Sequence, residues 1–255
     1  MCLILLALGH HPSFRLILAA NRDEYYDRPS TLPAFWNDAP GLLAGKDLRS
    51  GGTWLGITKK GRIGAITNYR DPASTKMNAT SRGWLVRDFL LGPEKPLEYL
   101  DKVRGKGERY NGFNLLVGIR DELYWYSNRA KDIVKLSRGL HGISNRLLDT
   151  PWPKVIRGKQ QISEILGSSE GVFSEALFDL LRDRTPASEE SLPDTGVGIE
   201  WERILSPLFI VSPTYGTRSS TLILIDKNDR VTFIDKSFDA RPEPISSEFA
   251  FTLEA

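Results

Sequence analysis

The residues with the clearest chemical potential lie at the beginning of the chain. Cys2 is the only cysteine among the 255 residues, and it directly follows Met1. A thiolate is the form of cysteine that attacks carbonyl carbons. Methionine before a small residue is usually removed, and Cys2 would then carry an α-amino group whose reference pKa of about 8 lets it accept the thiol proton. The alternative is a cysteine that packs as a small hydrophobic residue.

A predicted β-hairpin brings a second polar group to this cysteine. Two apolar runs, residues 3–8 and 14–20, flank a short turn that contains Gly and Pro. Because neither run alternates between polar and apolar residues, we expect both faces of the hairpin to be buried. The second run ends in the polar segment 21–24, Asn-Arg-Asp-Glu. An antiparallel hairpin returns its second strand to the level of its start, so this segment should lie beside Cys2.

The strand geometry predicts which of these polar side chains share a face. In an extended strand, neighbouring side chains point to opposite faces. Asn21 and Asp23 would then lie on one face, and Arg22 and Glu24 on the other. Arg22 and Asp23 are therefore not expected to reach Cys2 together without a bulge or a turn.

The composition narrows the class of protein. Hydrophobic residues make up 40% of the chain and charged residues 26%, as in an ordinary soluble protein, and the net charge of +2 gives no reason to expect nucleic acid as a partner. A single cysteine cannot form an internal disulfide, which fits a reducing compartment. The N-terminus lacks the basic region and cleavage site of a secretory signal, and no segment is apolar over a membrane-spanning length. These features predict a cytoplasmic location and no membrane span.

The order of predicted elements indicates the fold class. Strands, two helices, strands, two helices and strands follow one another, which is typical of two stacked antiparallel sheets with helices outside. We therefore predict a four-layer α+β sandwich in a single domain, residues 1–255. Ser81 is the expected N-cap of the first helix. The expected helices are 83–91, 96–103, 154–166 and 174–182; the expected loops are 25–50 and 185–200; and the expected strand pairs are 51–57 with 62–67, 113–119 with 123–127, 133–136 with 139–143, and 218–225 with 230–235.

Several strings in this order resemble a known family. Asn21-Arg22-Asp23-Glu24 matches the motif that names the NRDE family, also called the transport and Golgi organisation family. The resemblance spans nearly the whole chain. The other strings are Met1-Cys2 with its apolar run, Gly51-Gly52-Thr53-Trp54-Leu55-Gly56, Thr67-Asn68-Tyr69-Arg70, Gly142-Ile143-Ser144-Asn145, and Tyr215-Gly216-Thr217-Arg218-Ser219-Ser220-Thr221.

This family is in turn similar to the N-terminal nucleophile (Ntn) hydrolases of the choloylglycine hydrolase and penicillin V acylase group. That resemblance implies a four-layer αββα fold and cleavage of linear amide bonds by an N-terminal cysteine. Carried over residue by residue, Cys2 is the nucleophile and Asp23 holds its α-amino group. Asn145 donates to the oxyanion, and Arg218 braces the nucleophile. Asn68 falls where the group keeps an asparagine near the pocket.

The chain departs from the group at one position. The amide hydrolases have an arginine three residues before the aspartate, where this chain has Ala20, and here Arg22 adjoins Asp23 instead. The predicted substrate contacts are Asn21, Arg22, Trp54 and Asn68.

Two functions follow from the resemblance. The first is an amidohydrolase that acts on a small-molecule amide or acyl substrate. The second is a non-enzymatic carrier of haem or of an acyl lipid or acyl-coenzyme A in the same pocket, since the family has been linked to haem trafficking and to lipid metabolism. No cofactor is expected for hydrolysis, with haem as a ligand only in the second case. The three histidines, His10, His11 and His141, lack metal-ligand spacing, so no metal site is expected.

Overall fold

Two antiparallel β-sheets stack face to face at the centre of the structure, a computed structural model that describes residues 2–130, 132–168, 173–238 and 244–254. Met1 lies outside the described residues, so its removal stays a prediction. The strands are β1 (Cys2–Leu8), β2 (Phe14–Tyr25), β3 (Ala34–Trp36), β4 (Ala39–Ala44), β5 (Leu55–Thr58), β6 (Arg62–Asn68), β7 (Phe113–Ile119), β8 (Glu122–Ser127), β9 (Ile133–Lys135), β10 (Gly139–Ile143), β11 (Tyr215–Asp226), β12 (Arg230–Ser237) and β13 (Ile245–Thr252). The α-helices are α1 (Gly83–Leu91), α2 (Pro96–Arg104), α3 (Pro153–Ser168), α4 (Ser174–Leu181) and α5 (Ile199–Ile204).

The strand order and the packing define four layers. The first sheet has the order β10-β1-β2-β11-β12-β13, and the second has the order β3-β4-β5-β6-β7-β8-β9. Helices α3 and α4 cover the outer face of the first sheet, and α1 and α2 cover that of the second. This arrangement confirms the predicted α+β sandwich with αββα layers.

The N-terminal hairpin is buried on both faces, as its sequence predicts. Ile4 and Leu6 point into the core between the two sheets, whereas Leu3 and Leu5 pack against α3 and α4. All four side chains are at most 3% exposed. A strand in the middle of a layered fold contacts apolar side chains on both sides, which explains the continuous apolar run. The hairpin therefore anchors Cys2 at the start of β1.

The helix bounds follow the predicted ones closely. Helix α1 covers Gly83–Leu91, the same residues that the apolar pattern predicts. The prediction of Ser81 as the N-cap was wrong. The N-cap is Arg82, which makes no side-chain capping bond, and only the carbonyl of Ser81 takes part, accepting the Trp84 N–H at 3.3 Å.

Three other local predictions need correction. The segment 25–50 is not one long loop, because β3 and β4 form a hairpin within it. Strands β9 and β10 do not pair with each other, since β9 extends the second sheet beside β8 and β10 extends the first beside β1. Strand β13 escaped prediction, and α5 begins at Ile199, inside the expected loop 185–200.

None of the α-helices within the described ranges has the length and hydrophobicity needed to cross a membrane.

Candidate active site

The β1–β2 hairpin sets Cys2 directly opposite Arg22 in the antiparallel register. Directly paired side chains of an antiparallel pair lie on the same face, here the face towards the second sheet. The Arg22 side chain stacks over Trp54 of the second sheet, with its guanidinium carbon 4.0 Å from the ring centroid. It also donates to the Ser30 hydroxyl at 3.3 Å. Cys2 itself is half-buried as a residue.

A cleft of about 320 Å³ opens at this end of the hairpin. Its lining includes Cys2, together with Trp54 and Asn68 from the second sheet and its loops. Charged side chains provide much of the remaining wall. They are Arg22, Asp23, Glu24, Arg28, Asp47 and Arg82.

Asp23 lines this cleft, and its carboxylate is held by a side chain of β11. Its carboxylate accepts a hydrogen bond from the Thr217 hydroxyl at 2.7 Å, and Asp23 is only 1% exposed. Burial raises the pKa of the Asp23 carboxyl group, while the positive charge of Lys154 and the hydrogen bond from Thr217 oppose the rise. The charge of Lys154 and the hydrogen bond from Thr217 therefore offset part of the cost of burying this carboxylate.

The thiol of Cys2 is subject to opposing influences. Burial raises the pKa of the Cys2 thiol, and the negative charge of Asp23 adds to the rise. The backbone N–H of Asp23, which hydrogen-bonds the sulfur, and the positive charge of Arg22 lower the pKa. The thiol is thus protonated at rest and needs a base before it can attack a carbonyl group.

A bulge in β11 lies beside Arg22 and Asp23. Thr217 pairs with Asp23 and Ser219 pairs with Arg22, so Arg218 is an extra residue between the two pairs. A bulge bends the strand and increases its local twist. The irregularity lies in β11 and not in the segment 21–24, whose register with β1 is regular up to Arg22.

The Arg218 side chain points to the loop after β2. It lines a smaller pocket that adjoins Arg22 and Trp54, and it is absent from the lining of the main cleft. Its guanidinium group donates to three main-chain carbonyls, those of Tyr25, Tyr26 and Arg28. Arg218 therefore stabilises the loop that carries one wall of the cleft.

Asn145, the predicted oxyanion donor, and Asn68, the predicted pocket asparagine, form a pair. Asn145 is fully buried and donates from its side-chain amide to the main-chain carbonyl of Asn68 at 3.0 Å. Its side-chain oxygen lies 3.5 Å from an Arg70 nitrogen. Asn68 lines the cleft, whereas Asn145 lies behind it. The structure thus brings the two asparagines together, and of the two it is Asn68 that lines the cleft.

Asn21 is turned away from the cleft. Its amide donates to the carbonyls of Leu181 and Leu208, both at 2.8 Å, and its oxygen accepts from the Ser220 hydroxyl. These partners lie on the helix-covered face of the first sheet. As predicted, Asn21 and Asp23 lie on one face of β2 and Arg22 lies on the other. Asn21 therefore braces the strand from its helix-covered side.

A buried charge cluster, defined as Asp23, Arg70, Lys154 and Glu202, lies beneath the thiol. Arg70 and Glu202 form an ion pair in which the side chains are 4% and 3% exposed. Lys154 is 3% exposed and comes from the first turn of α3. Sequence reasoning did not identify Arg70, Lys154 or Glu202 as site residues. Arg70 falls within a motif string, but Lys154 and Glu202 have no local signal.

The wall opposite the hairpin was also missed. Arg82, at the start of α1, lines the cleft and donates to the Gly112 carbonyl at 2.9 Å. Burial lowers the pKa of the Arg82 guanidinium, and the charge of Glu24 opposes this change. Gly52 allows this wall to form, because a Cβ atom there would lie 2.5 Å from the Gly83 carbonyl carbon.

A metal site requires several donor side chains close together. Within the described part of the chain, no three His, Cys, Asp or Glu side chains are grouped closely enough to hold a metal ion. His141 instead contacts Asp149 at 2.8 Å, beyond the turn that carries Asn145.

Comparison with known proteins places the chain in a family. The sequence model of the family described as Transport and Golgi organisation 2 matches residues 1–240. The chain belongs to this family. It is 38% identical over 257 residues to the mouse Transport and Golgi organization 2 homolog, covering 93% of each protein. It is also 28% identical over 265 residues to the Drosophila melanogaster Transport and Golgi organization protein 2, covering 93% of this chain and 92% of the relative.

Solved structures of Ntn hydrolases share the fold. An N-acylethanolamine-hydrolyzing acid amidase ortholog from Caenorhabditis elegans superposes with a TM-score of 0.52 at 12% identity, covering 88% of this chain and 92% of that one. A conjugated bile acid hydrolase from Clostridium perfringens also superposes with a TM-score of 0.52, at 8% identity, covering 100% of this chain and 97% of that one. At these identities the likeness establishes the Ntn-hydrolase architecture alone. It supports the predicted four-layer αββα fold.

Proposed function

We propose that this protein is an amidohydrolase of the Ntn type, with Cys2 as its nucleophile after removal of Met1. One observation carries the proposal. Cys2 lines a cleft in which Arg22 lies directly opposite it, the backbone of Asp23 donates a hydrogen bond to its sulfur, and Asp23 lines the same cleft. A nucleophile, an anchor for its α-amine and a charge that favours thiolate are thus adjacent.

The reaction begins when the Cys2 sulfur attacks the carbonyl carbon of an amide and the thiol proton passes to the α-amine. The carbonyl π electrons move to oxygen and form a tetrahedral oxyanion. Its collapse expels the amine, which takes the proton from the α-ammonium group, and leaves a thioester on Cys2. Water then attacks the thioester with the α-amine as base, releasing a carboxylic acid and the free thiol.

The asparagine pair supplies the oxyanion environment in this proposal. Asn68 faces the cleft, and Asn145 fixes its backbone through the bond to the Asn68 carbonyl. Loss of one oxyanion donor typically costs about 3 kcal/mol of transition-state stabilisation. We therefore assign the direct contact to Asn68, with Asn145 supporting it from behind.

The arginines of the cleft indicate the kind of substrate. Arg22 and Arg82 have hydroxyl, carbonyl and aromatic partners, but no carboxylate of the described residues forms an ion pair with either. Guanidinium groups that lack such a partner are suited to bind carboxylate or phosphate oxygens. The proposed substrate is an amide with an anionic or oxygen-rich group near the scissile bond.

The alternative of a haem or acyl-lipid carrier has less support. An apolar ligand of that size needs a slot lined mainly by hydrophobic side chains. Six of the 17 residues that line the cleft are charged, so its lining favours a polar substrate.

Intact-mass spectrometry tests the proposal. The purified protein is expected to begin at Cys2 and to gain the mass of one acyl group when treated with a p-nitrophenyl ester of a short carboxylic acid. Cys2→Ala should gain none, and Cys2→Ser should react much more slowly. Retention of Met1, or equal labelling of the wild type and Cys2→Ala, would overturn the mechanism.

A further inference from the structure

Lys154 is a buried amine that the proposed mechanism does not use. It is the second residue of α3, which packs on β1 and β10, and it is 3% exposed. Its Nζ has no hydrogen-bond partner among the described residues. Burying an ammonium group is costly unless a charge or a hydrogen bond compensates for it. A lysine in the first turn also opposes the helix dipole, so its position calls for an explanation.

The charges around Lys154 come from four different elements. They are Asp23 of β2, Arg70 after β6, Cys2 of β1 and Glu202 of α5. The Glu202 carboxylate is paired directly with Arg70, so its charge is largely compensated. Of the four charges, that of Asp23 has the largest effect on Lys154, and it favours the ammonium form.

Tyr215 is a further titratable neighbour of the thiol, in addition to Asp23, Arg22 and Arg82. Burial raises the pKa of Tyr215 well above its usual value, so this side chain stays neutral. Burial lowers the pKa of Lys154 to about 8, with the Asp23 charge opposing the change, so the amine is mainly cationic at neutral pH. Lys154 thus adds a positive charge beneath the Cys2 and Asp23 pair, beside that of Arg70, which is paired with Glu202.

We propose that Lys154 is a positioning residue of the cysteine site, whose ammonium charge keeps Asp23 ionised and favours loss of a proton from the Cys2 thiol and α-amine. The inference rests on the proposed role of Cys2. When the α-amine is protonated, two cations, that group and Lys154, compete for the Asp23 carboxylate. Their repulsion favours the neutral amine, which is the form that accepts the thiol proton. The same positive charge stabilises a thiolate.

The test measures thiol reactivity separately from acyl transfer. The rate of Cys2 alkylation by iodoacetamide is followed from pH 5 to pH 10 on full-length protein that begins at Cys2. In Lys154→Met, which keeps the length but not the charge, we expect the midpoint of the pH profile to rise by about one unit and the rate at pH 7 to fall about tenfold. Lys154→Arg keeps the charge and should keep the wild-type midpoint.

Two controls separate this electrostatic role from packing. Lys159→Met removes a lysine of the same helix whose Nζ pairs with Asp149 at 2.7 Å, and it should leave the midpoint unchanged. Urea unfolding establishes that each variant is folded, and Lys154→Gln replaces Lys154→Met if the latter does not fold. An unchanged midpoint in a folded, uncharged variant overturns the inference. A shifted alkylation midpoint in a protein that no ester acylates would refute hydrolysis while supporting the role of Lys154.

Discussion

Cys2 and Arg22 occupy directly opposed positions in the N-terminal hairpin, with the arginine held against Trp54. The stacking holds a long side chain that would otherwise be mobile. The attraction between the guanidinium group and the ring offsets part of the side-chain conformational entropy that is lost. A fixed cation beside a thiol favours thiolate. The arginine that follows Asn21 in the motif therefore has a physical role at the sulfur, although its sequence position differs from that of the arginine in the amide hydrolases.

Replacing Arg22 by methionine should make Cys2 less reactive. The positive charge of Arg22 lowers the thiol pKa, so its loss should raise that pKa and slow alkylation by iodoacetamide about tenfold at pH 7. Arg22→Lys keeps a charge without the planar stacking surface and should lose less. Arg104→Met, at the exposed end of α2, serves as the matched control. Equal pH profiles for Arg22→Met and wild type would contradict the assignment.

How much of the site could be predicted from the sequence depended on whether the residues in contact are close together or far apart along the chain. The hairpin and α1 each form from residues that are close together in sequence. Their apolar runs and periodicity indicate which faces are buried, and both predictions agree with the structure. The pairing of β10 with β1 depends on contacts far apart in sequence, and local pattern could not reveal it, whereas β9 pairs with β8, its neighbour along the chain. The motif residues were found through the resemblance to a known family.

Lys154 shows why part of the site escaped prediction. A lysine at the start of an amphipathic helix usually faces solvent, so its residue type predicts exposure. Its burial results from the packing of α3 against the end of the first sheet, where Asp23 emerges. Glu202 is similar, since it reaches Arg70 from a short helix that extends beyond the expected loop 185–200.

Replacing Thr217 by valine should weaken both stability and acylation. The hydroxyl donates to Asp23 at 2.7 Å and accepts from the Ile210 N–H at 2.9 Å, so valine leaves two buried polar groups without this partner. We expect a loss of about 1–3 kcal/mol in the free energy of unfolding, measured in urea. Thr217→Ser keeps the hydroxyl and should lose less than half as much. A valine variant as stable as the serine variant would show that the two hydrogen bonds contribute little.

Breaking the Arg70–Glu202 pair should be strongly destabilising. Removing one partner leaves a buried charge without its counter-ion, and we expect Glu202→Leu to cost about 3–5 kcal/mol in urea unfolding. The double variant with Arg70→Met should cost less than the sum of the single variants, because it leaves neither charge. Asp101→Asn, which breaks the exposed pair with Arg104, should cost under about 1 kcal/mol. Strict additivity of the buried pair would contradict direct coupling.

The stability of the turn that carries Asn145 should depend on pH through the ionisation of His141 and Asp149. The hydrogen bond to Asp149 raises the pKa of His141, an effect that burial opposes. Burial would raise the pKa of Asp149, but hydrogen bonds from His141, Lys159 and the Gly142 backbone lower it to about 2. The raised pKa of His141 adds stability below its unfolded value of about 6.5, and this is lost as pH rises through the folded value. The lowered pKa of Asp149 adds stability above about 4, and this is lost as pH falls towards 2.

The wild type should therefore exceed His141→Gln in unfolding free energy most clearly near pH 5. The difference should be about 1 kcal/mol or less, since Asp149 is partly exposed, and it should shrink by pH 8 as the imidazole loses its charge. Urea unfolding at the two pH values measures it. His10→Gln, in the exposed turn of the hairpin, should show no such pH dependence. A difference for His141→Gln that is the same at both pH values would mean that the ring acts through packing and not through its charge.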